Sequence, residues 1–277
     1  MILIADSGTT KTDWCAIEPD GSRLSFQSNG MNPYFRSEDE LSTAFAEEVS
    51  PLIPDGDTGA VYFYGSGCTF DKIEVMKRVI GKHIPATCIE VYSDLLAAAH
   101  ATCGREAGIA CIIGTGSNSC FYDGRQIVKN VPPLGYILGD EGGGVSLGRR
   151  LVGDVLKEML SPAIREKFFD QYKLTAADII DRVYRRPYPN RFLAGFSPFI
   201  AENIAEPEIR KTVLDSFIAF LTRNVMKYDY KRYPANFVGS VAYVFREILS
   251  EAANATGIGI ASVHPAPMRG LITYYTN

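Results

Sequence analysis

The chain of 277 residues carries 28 lysines and arginines against 32 aspartates and glutamates, which gives a formal charge of −4. Hydrophobic residues make up 46% and charged residues 22%, a balance that excludes a disordered chain and is typical of globular proteins. The slight acidity argues against broad binding to nucleic acid or to anionic membranes, since both need a basic excess.

The sequence shows no targeting or membrane-spanning pattern. No apolar run approaches the roughly 20 residues that cross a bilayer, and the N-terminal run turns charged at Asp6, too early for a secretory signal. The six cysteines form no C-x-x-C pair, and the three histidines are scattered. We therefore expect a cytoplasmic protein with reduced, mostly buried thiols and no zinc site.

Three strands joined by two turns are predicted at the start of the chain. Met1–Ala5, Trp14–Ile17 and Leu24–Phe26 are short extended patterns. The Gly/Thr-rich segment Asp6–Thr12 links the first two strands, and Pro19-Asp20-Gly21 is a tight-turn signal before the third.

Helices and strands alternate over the next part of the chain. Ser37 and Glu40 have the spacing of a capping box at the start of a helix. The segments that follow are predicted, in chain order, as strand Ala60–Tyr64, helix Asp71–Ile80, strand Cys88–Tyr92 and helix Leu95–Thr102.

The opening pattern then recurs. The strand Ile109–Ile113 runs into a second Gly/Thr turn at Gly114, and Gly124 marks a second tight turn. Gly8 and Gly114 are 106 positions apart, and Gly21 and Gly124 are 103 apart. A period this long is not that of a solenoid, so it predicts two similar α/β domains that face one another, 1–104 and 105–277.

The second half of the chain is richer in helix. Helical spacing covers Val145–Leu160, Thr175–Arg185, Pro207–Tyr228, Val244–Ala255 and Met268–Tyr275. Extended patterns cover Asn236–Ala242, which runs through Gly239 and Ser240, and Ile258–Val263. Three aromatic residues are expected to lie in the core, namely Phe192, Phe196 and Phe199.

The first Gly/Thr turn is a candidate phosphate site, although it lies in a hairpin and is not a P-loop. Gly8 lets backbone N–H groups approach an anion, and Thr9, Thr10 and Lys11 add further donors. Asp6, at the end of the strand, is a candidate ligand for hydrated Mg²⁺. The alternative is an ordinary hairpin turn.

The second Gly/Thr turn has the same composition at the matching place in the repeat. Gly114, Thr115, Gly116 and Ser117 again offer backbone and hydroxyl donors. Two such turns at equivalent positions favour phosphate binding over a pair of plain hairpins.

Asp94 follows a predicted strand and begins a predicted helix. One interpretation is a helix N-cap. The other is a general base that accepts the proton of a hydroxyl as its oxygen attacks a γ-phosphate. The position by itself leaves both open, and one aspartate can serve both.

Three further segments carry weaker signals. Gly139–Gly144 places two carboxylates, Asp140 among them, beside glycines, which suits close approach of sugar hydroxyls or a flexible loop at a helix start. Asn32 offers an amide in what is otherwise an Asn-Pro turn. Gly239 and Ser240 leave room for an adenine ring against the backbone.

Taken in order, these motifs resemble the acetate and sugar kinase, heat-shock protein and actin superfamily. Within it the sequence is similar to the N-acetylglucosamine kinase branch, grouped with the BadF/BadG/BcrA/BcrD ATPase family. The matching segments are Ile4–Thr12, Ile113–Ser119, Gly139–Gly142 and Phe237–Ala242, with Ser240 where a second glycine is usual.

The resemblance implies two RNase-H-like α/β domains of the actin and hexokinase type, with ATP and Mg²⁺ in the cleft between them. It implies phosphorylation of an amino sugar, N-acetylglucosamine foremost, at its 6-hydroxyl, with Asp94 as base. The implied sugar contacts are Asn32, Ser66, Asp94, Asp140 and Gly144. The implied nucleotide contacts are Gly8, Thr9, Thr10, Lys11, Gly114, Thr115, Gly116, Ser117, Gly239 and Ser240. In this family the last helix commonly packs back on the first domain.

Two other functions stay open at this level. A BadF-type ATPase that activates a partner enzyme resembles this chain, but it needs two cysteines per subunit for an iron–sulfur cluster. A nucleotide or sugar sensor of the ROK type carries a helix-turn-helix, which we do not find. The identity of the sugar and the oligomeric state, a homodimer included, are also open.

Overall fold

The computed structural model describes residues 1–8, 10–54 and 57–276, and the chain divides into two compact units. The first unit is Met1–Arg105 together with the segment that begins at Pro267, and the second is Glu106–Ala266. In the described part of the chain, each unit is built on one five-stranded sheet with both parallel and antiparallel pairs.

The sheet of the first unit consists of β1 (Ile2–Ser7), β2 (Lys11–Ile17), β3 (Arg23–Asn29), β4 (Thr58–Gly65) and β5 (Ala86–Ser93). The strands lie in the order β3-β2-β1-β4-β5. The first three form an antiparallel meander, whereas β4 and β5 run parallel to β1. The parallel crossovers are long enough to carry helices, as βαβ connections require.

The helices of the first unit before its C-terminal segment are α1 (Glu38–Ala44), α2 (Phe70–His83) and α3 (Asp94–Cys103). The capping box of α1 is confirmed, because Glu40 N donates to Ser37 Oγ and Ser37 N donates to Glu40 Oε2 at 2.7 Å. The buried indole of Trp14 meets Phe45 edge-on, with ring centroids 5.6 Å apart, and packs on Phe63. This aromatic cluster fills the core on one face of the sheet.

The sheet of the second unit consists of β6 (Gly108–Ile113), β7 (Ser117–Tyr122), β8 (Ile127–Val131), β9 (Ala235–Val238) and β10 (Ile260–His264). Its order, β10-β9-β6-β7-β8, is that of the first sheet read from the other end, with the same parallel and antiparallel pairs. The internal repeat read from the sequence is therefore confirmed in the topology.

The second unit holds the majority of the helices. They are α4 (Gly135–Leu138), α5 (Gly144–Leu156), α6 (Pro162–Tyr172), α7 (Ala176–Tyr184), α8 (Pro189–Ala194), α9 (Ser197–Glu202), α10 (Pro207–Arg223), α11 (Ser240–Val244) and α12 (Arg246–Thr256). The last helix of the chain, α13 (Met268–Thr276), belongs to the first unit. None of the helices formed by the described residues combines the length and apolar character that a bilayer span requires.

The structure corrects several sequence predictions in the second unit. The strand predicted over Asn236–Ala242 ends at Val238, because Gly239 has φ +126° and lies so close to Ile113 O that a Cβ would clash. Ser240 then begins α11. The helix expected to reach Leu160 ends at Leu156, and α10 ends at Arg223.

Four helices have no counterpart in the sequence prediction, namely α4, α6, α8 and α9. Three of them carry a proline at the first or second helical position, where a missing N–H costs nothing. The predicted core position of Phe196 and Phe199 is confirmed, and Phe192 packs against the same cluster.

The C-terminal helix packs tightly on the first unit. Gly270 of α13 lies so close to Ala101 O of α3 that a Cβ on it would overlap the backbone. The hydroxyl of Tyr275 lies 2.6 Å from that of Tyr64, which in turn lies 2.7 Å from His100 Nδ1. Backbone contact with α3 and a buried polar network with Tyr64 and His100 therefore hold α13 in place on the first unit.

We expect Gly270→Ala to lower the free energy of unfolding by about 1–3 kcal/mol, because α13 must move away from α3 to admit the methyl group. Trp14 is the single tryptophan and lies in the first unit, so its fluorescence in a urea titration reports on this unit.

The matched control is Gly81→Ala in α2, where an added Cβ meets only ordinary contact, 3.4 Å from Ile89 Cδ1. There alanine lowers the conformational entropy of the unfolded chain, so the free energy of unfolding should stay equal or rise by up to about 1 kcal/mol. Equal destabilisation by both variants would contradict the close contact of α13 and α3.

Candidate functional site

The first Gly/Thr turn joins β1 to β2. Gly8 N donates to Lys11 O at 2.9 Å and closes the hairpin. The ammonium of Lys11 lies 2.9 Å from Asp13 Oδ2, and the side chains of Thr10 and Lys11 face solvent. Thr9 lies outside the described residues. The described part of the turn thus presents the hydroxyl of Thr10 and the ammonium of Lys11 at the surface of the first unit, and Asp13 partly neutralises that ammonium.

Asp6 lies on β1 one residue before the turn. Burial, together with the nearby carboxylates of Asp13 and Asp94, raises the pKa of its carboxyl to about 7 against the opposing effect of Lys11. No group of three or more metal-binding side chains occurs among the described residues, so Asp6 offers one carboxylate and not a closed cage. That is the donor set of a Mg²⁺ held largely by water and phosphate oxygens.

Asp94 is the first residue of α3, but it is not the N-cap. Ser93 is the N-cap, because its Oγ accepts a hydrogen bond from Leu96 N at 3.3 Å. Burial raises the pKa of Asp94, whereas the backbone N–H of Leu95 and the hydroxyl of Ser66 hold it down by hydrogen bonding to the carboxylate. The N-cap interpretation is therefore wrong for Asp94, which leaves the interpretation as a general base.

Parallel pairing brings these groups to one edge of the first sheet. Ser7 is paired with Gly65, and Gly65 is paired with Ser93, so β1, β4 and β5 end side by side. Asp6, Ser66 and Asp94 stand at these three ends. Ligands of open α/β sheets bind at this carboxyl edge.

Asn32 joins the same edge from the loop after β3. Its side chain is buried, and its Oδ1 accepts a hydrogen bond from Tyr34 N at 2.9 Å. Gly67, with φ +81°, lies against that same oxygen so closely that a Cβ would clash. Asn32 therefore lies beside Gly67, the neighbour of Ser66, whose hydroxyl hydrogen-bonds Asp94.

The second Gly/Thr turn is fixed to the N-terminus of α5. Gly144 N donates to Gly114 O at 2.8 Å, and Val145 N donates to Thr115 O at 2.9 Å. The backbones of Gly116 and Gly143 approach so closely that a Cβ on Gly143 would lie 2.7 Å from Gly116 C. The turn is rigid, and the side chain of Thr115 faces solvent.

Asp140 lies against this turn. Its Oδ1 accepts a hydrogen bond from Ser117 N at 3.0 Å. Burial raises the pKa of Asp140, and that hydrogen bond lowers it. The neighbouring Glu141 is held by Arg223, at 2.9 Å. One oxygen of Asp140 thus orders the second turn, a contact that the sequence did not predict.

A pocket of about 450 Å³ opens beside the second turn, entirely within the second unit. Its lining is mainly apolar, and α8, α9 and α11 supply the walls. The lining residues are Gly114, Thr115, Gly144, Ala194, Gly195, Ser197, Pro198, Ala201, Ser240, Val241, Val244 and Phe245.

Sequence reasoning reached four residues of this pocket, Gly114, Thr115, Gly144 and Ser240, but assigned Gly144 to the sugar. The structure uses the N–H of Gly144 for Gly114 O and places the residue in the pocket wall. The contributions of α8 and α9 were missed, because two short proline-containing helices give no periodic signal.

No protein-family model matches the chain, and no curated protein matches it either. Solved structures do match the chain. A candidate N-acetylglucosamine kinase from Porphyromonas gingivalis is 49% identical, with 99% of this chain and 98% of that protein covered and a TM-score of 0.96. A second one, from Chromobacterium violaceum, is 15% identical, with a TM-score of 0.79 and coverage of 99% and 98%.

A more distant likeness extends to a nucleotide-bound protein. MreB 5 of Spiroplasma citri, bound to AMPPNP, is 12% identical with a TM-score of 0.54, over 99% of this chain and 94% of that one. The likenesses at 15% and 12% show the fold alone, whereas the 49% identity over nearly the whole chain shows common family membership.

The raised pKa of Asp6 predicts a pH-dependent stability in the absence of Mg²⁺. The pKa of the Asp6 carboxyl is about 7 in the folded protein and 3.8 ordinarily. Between these pH values the carboxyl carries a proton only in the folded state, so the free energy of unfolding falls as pH rises from about 4 to about 7. The slope approaches about 1.4 kcal/mol per pH unit. Asp6→Asn should remove this contribution, leave that of other buried carboxyls such as Asp94 and Asp140, and be more stable than wild type at pH 7.

This is measured by urea unfolding in EDTA at several pH values, again through Trp14. Asp20→Asn, in the exposed turn before β3, is the control and should keep the wild-type slope. If wild type and Asp6→Asn show the same pH dependence, the carboxyl of Asp6 ionises at its ordinary pKa.

Proposed function

We propose that this chain phosphorylates an amino sugar with ATP. It belongs to the family of the Porphyromonas gingivalis candidate N-acetylglucosamine kinase, within the acetate and sugar kinase, Hsp70 and actin superfamily. The carrying observation is the 49% identity over 99% of the chain. The foremost substrate is N-acetylglucosamine, and the product is its 6-phosphate. The protein is thus an ATP-dependent sugar kinase.

The second unit offers a site for the nucleoside of ATP. The pocket beside the second turn is large enough and apolar enough for an adenine ring. Gly239, with its positive φ, and Ser240 bring α11 against the Gly114 turn, and we assign Gly144 to this pocket. Gly114, Thr115, Gly116 and Ser117 are the proposed phosphate contacts in this unit.

The first unit offers the remaining phosphate and metal contacts. Gly8, Thr9, Thr10 and Lys11 are the proposed donors of the first turn, and Asp6 holds hydrated Mg²⁺. Bound Mg²⁺ neutralises charge on the transferred phosphoryl group. A divalent cation also favours the ionised form of Asp6 and so offsets the burial that raises its pKa.

Asp94 is the proposed general base. As the sugar oxygen bonds to the γ-phosphorus, its proton passes to the Asp94 carboxylate and the bond to ADP breaks. The hydroxyl of Ser66 holds that carboxylate in place, and desolvation raises its proton affinity. Asn32 and the second oxygen of Asp140 are the proposed contacts to sugar hydroxyls.

The direct test is ADP release from Mg-ATP with and without N-acetylglucosamine. We expect a sugar-dependent rise, and a panel with glucosamine, N-acetylmannosamine and glucose then ranks the substrates. A rate unchanged by every sugar would reject the kinase function. Iron in a brown, oxygen-sensitive preparation would then favour the BadF-type ATPase that activates a partner enzyme.

Asp94→Asn should fold and lose sugar-dependent turnover by about 10²–10⁴-fold, since the carboxylate no longer accepts the proton. Glu90→Gln, on the strand β5 that precedes Asp94 and paired to Lys77 at the surface, should keep the wild-type rate. A rate for Asp94→Asn close to that of Glu90→Gln would remove Asp94 from the role of base.

A further inference from the structure

A row of polar side chains crosses the three antiparallel strands of the first sheet next to the first Gly/Thr turn. Asp6 on β1 is paired with Asp13 on β2, and Asp13 is paired with Gln27 on β3. Directly opposite residues of an antiparallel pair point to the same face of the sheet, and so do residues two apart on one strand. Lys11, two residues before Asp13, therefore shares this face with the row.

Asp13 holds the ammonium of Lys11 with both carboxylate oxygens. Lys11 Nζ donates to Asp13 Oδ1 at 3.0 Å and lies 2.9 Å from Asp13 Oδ2. Gln27 Nε2 donates to Asp13 Oδ1 at 2.6 Å, so the carboxylate is itself held from β3. The side chain of Lys11 is 59% exposed, whereas that of Asp13 is 21% exposed. The ammonium is thus bonded to a fixed carboxylate and still open to an anion from solvent.

We propose that Asp13 is a positioning residue for nucleotide binding, because it orders the Lys11 ammonium beside the first turn before a phosphate arrives. This rests on the proposed function, in which Lys11 donates to a phosphate of ATP. A lysine side chain has many rotamers, and ordering it in advance removes that entropy cost from the binding step. The carboxylate of Asp13 also has an opposing effect, since its charge repels an incoming phosphate.

The two effects predict opposite results for Asp13→Asn, which removes the charge and weakens the hold on Lys11. The measurement is calorimetric titration of the full chain with the non-hydrolysable ATP analogue Mg-AMPPNP. Positioning predicts that Asp13→Asn binds this analogue about 2- to 10-fold more weakly than wild type. Repulsion alone predicts binding that is tighter than in wild type.

A double-mutant cycle separates positioning of Lys11 from a structural role of Asp13. Lys11→Met should weaken binding of Mg-AMPPNP by about 10-fold or more, the worth of a hydrogen bond to a charged group. In the Lys11→Met background, Asp13→Asn should cause no further loss, because no ammonium is left to position. A structural defect at the turn would instead cause the same loss in both backgrounds.

The matched control is Asp170→Asn, which removes the carboxylate of another surface Lys–Asp pair. Asp170 lies on α6, away from both turns in the sequence, and accepts a hydrogen bond from Lys173 Nζ at 3.3 Å. This variant should bind Mg-AMPPNP with the wild-type affinity.

Three results would overturn the inference while leaving the proposed function intact. They are unchanged or tighter binding by Asp13→Asn, no loss of affinity in Lys11→Met, and an equal loss on Asp13→Asn in both backgrounds. A wild-type chain that does not bind Mg-AMPPNP would reject the proposed nucleotide site and this inference together.

Discussion

Parallel pairing of β1, β4 and β5 is the constraint on which the candidate catalytic residues depend. Asp6, Ser66 and Asp94 are far apart in the sequence, and each follows or ends a different strand. Their closeness has an electrostatic consequence, since Asp94 is one of the charges that raise the pKa of Asp6. A cation bound there would offset this mutual repulsion, which is consistent with the proposed Mg²⁺ at Asp6.

In the second unit, the candidate site depends on the close approach of backbone segments at glycines. Gly116 meets Gly143, and Gly239 meets Ile113 O, at distances that no side chain permits. These contacts fix the second turn against α5 and α11 and thereby shape the pocket. The glycines are needed for this packing, so substituting them would change the shape of the pocket.

The sequence predicted candidate site residues, whereas the contacts around them appeared only in the structure. Asp94 was found as a candidate base because it follows a strand, yet its neighbour Ser93 proved to be the cap, a choice between adjacent residues that only backbone geometry makes. Asp140 was found through its glycines, but its hydrogen bond to Ser117 N joins residues 23 positions apart. Ser197 carried no signal, because its place in the pocket wall arises from packing between distant segments.

The sequence by itself determined the alternation of strands and helices, the repeat of the Gly/Thr turn and the kinase-like set of motifs, since these are local patterns of residue type and spacing. The tertiary structure decided where β9 ends and that α8 and α9 form one wall of the pocket. These features depend on contacts between residues far apart in the chain, for which a local pattern holds no information.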